Sequence, residues 1–316
     1  MTQAATPRSE PGWYTPSNLP SELIKIDEPV RDTLPVGAAG KVGLLDLALT
    51  SHSGVTRVRR HYQRVPLHIY RPIYLDEGRP DMAFLFVQQF GEGLVQGDRY
   101  RIDIECGPGT ATHVTTQAAT NVYGARENFA TQLINLQVAA GAVLEYLPDP
   151  IVPFRGARLF QRTSLTVDPE ATVILGETLL PGRVAHGEAH LYDLYWAETE
   201  ARRPGGASLF ADLLRLSPRD GGGPRSIAVL GPYDVIATLH VISGQGDRAR
   251  LVTLLRGTLA GRREVLAGVS ELPNRAGVSI RLLGPTSKAV QAALRAAWNA
   301  VRLELLGVPA PNLRKG

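Results

Sequence analysis

The 316-residue chain has a single cysteine, Cys106. One thiol cannot form an internal disulfide, and it leaves no cysteine-based zinc site to assemble. Aromatic residues make up only 6% of the chain, too few to interleave with basic side chains along a nucleic-acid groove. No apolar run approaches the ~18 residues of a membrane span. The opening MTQAATPRSEPGWYTPSNLP lacks the apolar core of a secretory signal. These absences point to a cytoplasmic protein with neither membrane nor nucleic acid as a partner. Neither sign of charge prevails, since 34 Lys and Arg stand against 30 Asp and Glu. A net +4 over this length permits acidic partners but does not demand them.

What is present is alternation. Residues 1–38 carry Pro7, Pro11, Pro16, Pro20, Pro29 and Pro35 with little periodicity, and read as an irregular arm. Residues 39–316 read as one β domain with no linker. LLDLALTSHSGVTRVRR alternates on both sides of a Ser/Gly turn. In RYRIDIEC, Tyr100, Ile102, Ile104 and Cys106 face one way and Arg101, Asp103 and Glu105 the other. Units of strand, Gly- or Pro-containing turn and strand begin at Ile102, Ile134 and Thr163, about 30 residues apart. One such hairpin cannot bury both faces alone, whereas stacked units can. The expected fold is mainly β: a single large antiparallel β-helix-like or two-layered β domain with a C-terminal α-helix, with a plain β-sandwich as the alternative. That helix is SKAVQAALRAAWNAVRLELLG, and other helix is scarce. Ser287 suits its N-cap and Gly307 its end. Val290, Ala293, Leu294, Ala297, Trp298, Val301 and Leu305 share one face, with Arg302 on the flank.

Three short stretches invite chemistry. GEGLVQGD, residues 91–98, fails the spacing of phosphate loops and precedes a strand rather than a helix, so it reads as a turn with Asp98 near its end. In HGEAH, residues 186–190, an extended chain would project His186, Glu188 and His190 from one face, a possible transient ligand set for zinc or nickel; a solvated strand face is the plainer reading. RVRRHYQR, residues 57–64, reads as a solvated basic strand face. No Ser–His–Asp arrangement can be singled out, although acids from separate strands can converge.

Read in order, these segments resemble the urease accessory protein D family. TTQAAT with Tyr123 is similar to its most recognisable signature. GLVQGD is similar to its glycine-rich turn. GAVLEYLPDPIVPFRGAR, GETLLPGRVAHGE and RLELLG follow in family order. Glu92, Gln96, Asn121 and the closing PAPNLRKG depart from it. The resemblance implies a non-enzymatic maturation factor that acts on urease apoprotein with accessory proteins F and G, the latter a GTPase. It implies nickel in transit through an internal passage, with no tightly bound cofactor. Asp98, Glu145, Glu177 and Glu188 occupy family-like positions, and His186 lies beside them; these are the candidate nickel contacts. Each acid has a competing reading as a turn cap or a buried hydrogen-bonded group. A β-helical carbohydrate-active enzyme, using converging acids with Arg57 or Arg183, and an RNA-binding module built on Arg57 to Arg64 are the alternatives.

Overall fold

Three strand–turn–strand units set the architecture. In the computed structural model, which describes residues 11–16, 18–24, 40–91, 93–219 and 223–313, Ile102 lies opposite Ile134 and Ile134 opposite Thr163. The starting points of the sequence units are therefore register partners. The pairing is parallel. Arg99–Cys106, Ala130–Val138 and Arg158–Val167 lie side by side in one sheet. Their sequels Ala111–Thr116, Val143–Tyr146 and Thr172–Leu179 lie side by side in a second. Each four-residue connection carries the chain from one sheet to the other instead of folding it back within one. Successive units then stack as coils of a two-layered β-solenoid.

Antiparallel pairing, expected throughout, flanks this parallel centre: it joins the outer strands of the first sheet and the strands of the second sheet from Thr172–Leu179 through Val235–Ser243 and Gly277–Gly284 to Leu266–Glu271. Val42–His52 forms a hairpin with Val55–Arg64, and Leu194–Arg202 pairs antiparallel with Ser208–Leu216. The sequence could not separate the two arrangements, because alternation has period two in both. The turns repeat structurally as well. Gly109 and Gly141 occupy equivalent places in consecutive coils, both with φ near +65° (63° and 66°), where a side chain would be strained.

The first sheet runs from Ser208–Leu216 at one edge to Val55–Arg64 at the other. Its inner face packs on the second sheet through one large apolar core that includes Leu47, Ile104, Leu136, Leu165 and Val173. Its outer face is partly covered by residues of the proline-rich arm: Leu23 packs with Phe129 and Phe160, and Tyr14 with Val42 and Leu44. Basic strand 57–64 is largely solvated at the sheet edge, as read from the sequence.

The middle of the second sheet is buried on both faces. Val235–Ser243 is therefore buried at every position. Ile236 and Ile242 face the first sheet, while Val235, Leu239 and Val241 face two helices. One is the expected Ser287–Leu306, capped by Thr286, one residue before Ser287, and ended by left-handed Gly307. The other, Arg248–Ala260, was not expected. Its apolar face is short, but Asp247 caps it by accepting from the Ala249 and Arg250 N–H groups. Among the described residues, no helix is long and apolar enough to cross a membrane.

Candidate functional site

A β-solenoid core should be apolar on every inward position, and here it is not. Gln132 pairs with Gln161 across the first sheet. The next inward row is Ile134, Thr163, Thr199 and Asp212. From the second sheet come Glu177, Thr238 and His240, on strands paired so that Glu177 faces Thr238 and Leu175 faces His240. These residues line a largely enclosed space between the sheets of ≈ 40 Å³, room for about three or four waters at roughly 10–15 Å³ each. Thr116, Thr120 and Gln132 border both this space and a wider surface pocket beside it, the mouth. Phe90, Gly93, Asn121 and Tyr123 stand around that mouth. TTQAATNVY thus forms a wall and a rim.

Two acids from facing walls are held in opposite ways. Burial pushes the Glu177 carboxyl above its ordinary range; a hydrogen bond donated by Tyr195 (2.9 Å) and one from Gln161 only partly offset this, and the charge of Asp212 adds to it. Asp212 is pulled down to about 2 by His240, whose Nε2 lies 3.4 Å from Oδ2, and by Arg281 at 2.6 Å, against the effect of burial. One acid resists ionisation and the other is already compensated. Neither is a deep trap for a cation, and both can contribute an oxygen ligand.

Of the five sequence candidates, Glu177 lies in this space and the other four lie apart. Asp98 is buried in its turn, accepting from the backbone N–H of Lys41 (2.6 Å) and Val95 (3.0 Å). Glu145 is buried beneath the tail helix, where His113 Nδ1 lies 2.7 Å away and Arg302 3.1 Å. Arg302 also pairs with Asp76. Arg302 is fully buried, so the flank of the apolar stripe on which it stands is not solvated. Glu188 accepts two bonds from Arg183, at 2.9 and 2.8 Å. His186 is exposed in a 3-10 turn, Val184–His186, while His190 turns away to Asp234 at 3.0 Å. The extended face proposed for His186, Glu188 and His190 does not exist, because this turn and the positive φ of Gly187 and His190 rotate the chain. Among the described residues no three His, Cys, Asp or Glu side chains gather as a metal centre.

Sequence reasoning missed Asp212, His240, Gln132 and Gln161. A signal existed: each is a polar residue on the apolar parity of its strand, as Asp212 is among Phe210, Leu214 and Leu216.

These features describe a class of protein, a β-solenoid scaffold with a narrow polar interior. Comparison with known proteins makes the assignment specific. The model of the family described as "UreD urease accessory protein" matches residues 41–316. Urease accessory protein UreD 2 of Streptomyces griseus is 42% identical over 287 residues, covering 90% of this chain and 98% of that protein. The UreD protein of Cenarchaeum symbiosum is 35% identical over 283 residues, covering 89% and 99%. UreD 3 of Methylorubrum populi is 37% identical over 280, covering 87% and 89%. The chain belongs to the UreD urease accessory protein family.

Proposed function

We propose that this protein is a non-enzymatic urease maturation factor. It assists delivery of nickel to the urease apoprotein, in the cytoplasm and together with accessory proteins F and G, by letting the ion move through the polar space between its sheets. Nickel is cargo here, not a resident cofactor. The observation that carries the reading is the set of polar inward rows in a core whose flanking rows are apolar. Burying so many hydroxyl, amide and carboxyl groups is less favourable than burying apolar ones even where hydrogen bonds offset part of the cost, so their retention marks a use other than packing. Carboxylate, imidazole and water ligands suit Ni²⁺, and a site lacking a closed ligand shell can release it. The bore admits an ion with a few waters and excludes larger solutes.

The test replaces Glu177→Gln together with Asp212→Asn, which keeps shape and removes charge. After co-expression with urease and its accessory proteins, the nickel content of purified urease should fall severalfold. Melting temperature should fall modestly, because Asp212→Asn loses its ion pairs with His240 and Arg281, while capture of the partners should stay near wild type. Full nickel loading in the double variant would exclude transit past these acids.

A further inference from the structure

The interior space occupies one face of the second sheet, and a separate groove occupies the other. The groove, ≈ 450 Å³, runs beneath the tail helix among His113, Leu147, Ala292, Arg295 and Trp298. Interior and groove have two residues in common, Pro148 and Asp149. Thr116 is one of the three residues, with Thr120 and Gln132, that border both interior and mouth. Thr116 and Asp149 grip each other: the Asp149 N–H donates to Thr116 Oγ1 at 2.8 Å, and that hydroxyl donates to Asp149 Oδ2 at 3.3 Å. All three spaces therefore converge on one hydroxyl–carboxylate pair.

The pair is rigidly presented. Pro148 and Pro150 flank Asp149, fixing their own φ and restricting the residues before them. The Leu147 N–H donates to Val114 O at 2.8 Å, and the Thr120 N–H to Pro150 O at 2.9 Å. Residues 147–150 are thus tied on both sides to the strand and turn that wall the interior.

We infer that the passage has a second opening, in the groove beneath the tail helix, and that Asp149 is the carboxylate around which a divalent cation turns from one face of the second sheet to the other. This rests on the transit reading above and adds its route. The Asp149 carboxylate offers oxygen ligands where, among the described residues, the linings of the two sides overlap, and the Thr116 hydroxyl bonded to it adds another on the interior side. Beyond them Arg295, donating to Pro311 O at 3.3 Å, contributes a positive charge to the groove. That charge opposes prolonged residence there and favours onward release.

The experiment uses the full chain co-expressed with urease and its accessory proteins, and reads the nickel content of purified urease. Asp149→Asn removes the charge at the turning point. Ala292→Trp, on an exposed position of the tail helix, fills the groove from outside without entering the interior. Both should lower nickel loading severalfold, with melting temperature and partner capture unchanged. The Glu177→Gln, Asp212→Asn variant runs in parallel. Loss of loading there, with full loading in Asp149→Asn and Ala292→Trp, keeps the passage and eliminates the second opening. Full loading in all three eliminates both. Lost partner capture by Ala292→Trp, with full loading in Asp149→Asn, makes the groove a docking surface and overturns the inference.

Discussion

Arg302→Met removes a guanidinium that reaches both Glu145 and Asp76. Arg302 and Glu145 are wholly buried and Asp76 is 6% exposed. Methionine keeps most of the stem's packing, so the loss is electrostatic. Stranding buried carboxylates without their cation costs about 3–5 kcal/mol. At roughly 2 °C per kcal/mol for a large domain, this lowers Tm by about 6–10 °C. The pH dependence gives a sharper check. Burial raises the Glu145 carboxyl, but the His113 bond and the charge of Arg302 outweigh it and hold the group below its ordinary 4.5. In the wild type its contribution is present above pH 4.5 and is lost as pH falls through the lower folded-state value. In the variant burial prevails, and protonating Glu145 relieves the penalty. The Tm gap should be widest near neutrality and narrow on acidification, read by calorimetry across a pH series. Adding Glu145→Gln to Arg302→Met should recover part of the loss. A variant that melts with the wild type, or a gap that widens as pH falls, refutes the account.

Trp298→Ala, at a residue 5% exposed, should cost about 3–5 kcal/mol in chemical denaturation, comparable with Arg302→Met; a near-neutral result would mean the helix is not seated through this ring. Cys106 is fully enclosed, and burial pushes its thiol up to about 12, so an aromatic disulfide reagent at pH 8 should label it only as the protein unfolds; rapid labelling of the native protein would contradict its placement. Gly182→Ala should displace the loop that presents Glu188, since φ is +129° and a Cβ would strike the Glu188 carbonyl and come within 2.9 Å of that of Pro153; unchanged protease sensitivity of residues 181–190 would count against this.

Alternation revealed the solenoid's strands, and the spacing of Ile102, Ile134 and Thr163 revealed its coils, because each coil buries the same parity of residues. Parallel pairing stayed hidden, since a turn within a sheet and a turn between sheets leave the same local pattern. Glu177 was legible through the family resemblance. Asp212 and His240 were not, because they converge only after strands far apart in the chain are laid across from one another. Arg302 was misread for a related reason. Helical periodicity placed it correctly beside the apolar stripe, but nothing local revealed Glu145 and Asp76 waiting on the opposite wall. The Arg248–Ala260 helix escaped notice because it interrupts its apolar positions with arginines and threonines, leaving Asp247 as the main local signal.

The ion pair between Arg302 and Asp76 joins positions 226 residues apart. During synthesis the chain emerges from its N-terminus, so Asp76 and Glu145 are made long before the cation they require. Until the final helix arrives, the cavity that will hold them can close only over uncompensated charge or over protonated acids. A product truncated before residue 302 never receives the guanidinium. The carboxylates of Asp76 and Glu145 are therefore compensated only once Ser287–Leu306 has packed over them, which ties the stability of that part of the second sheet to a segment made much later.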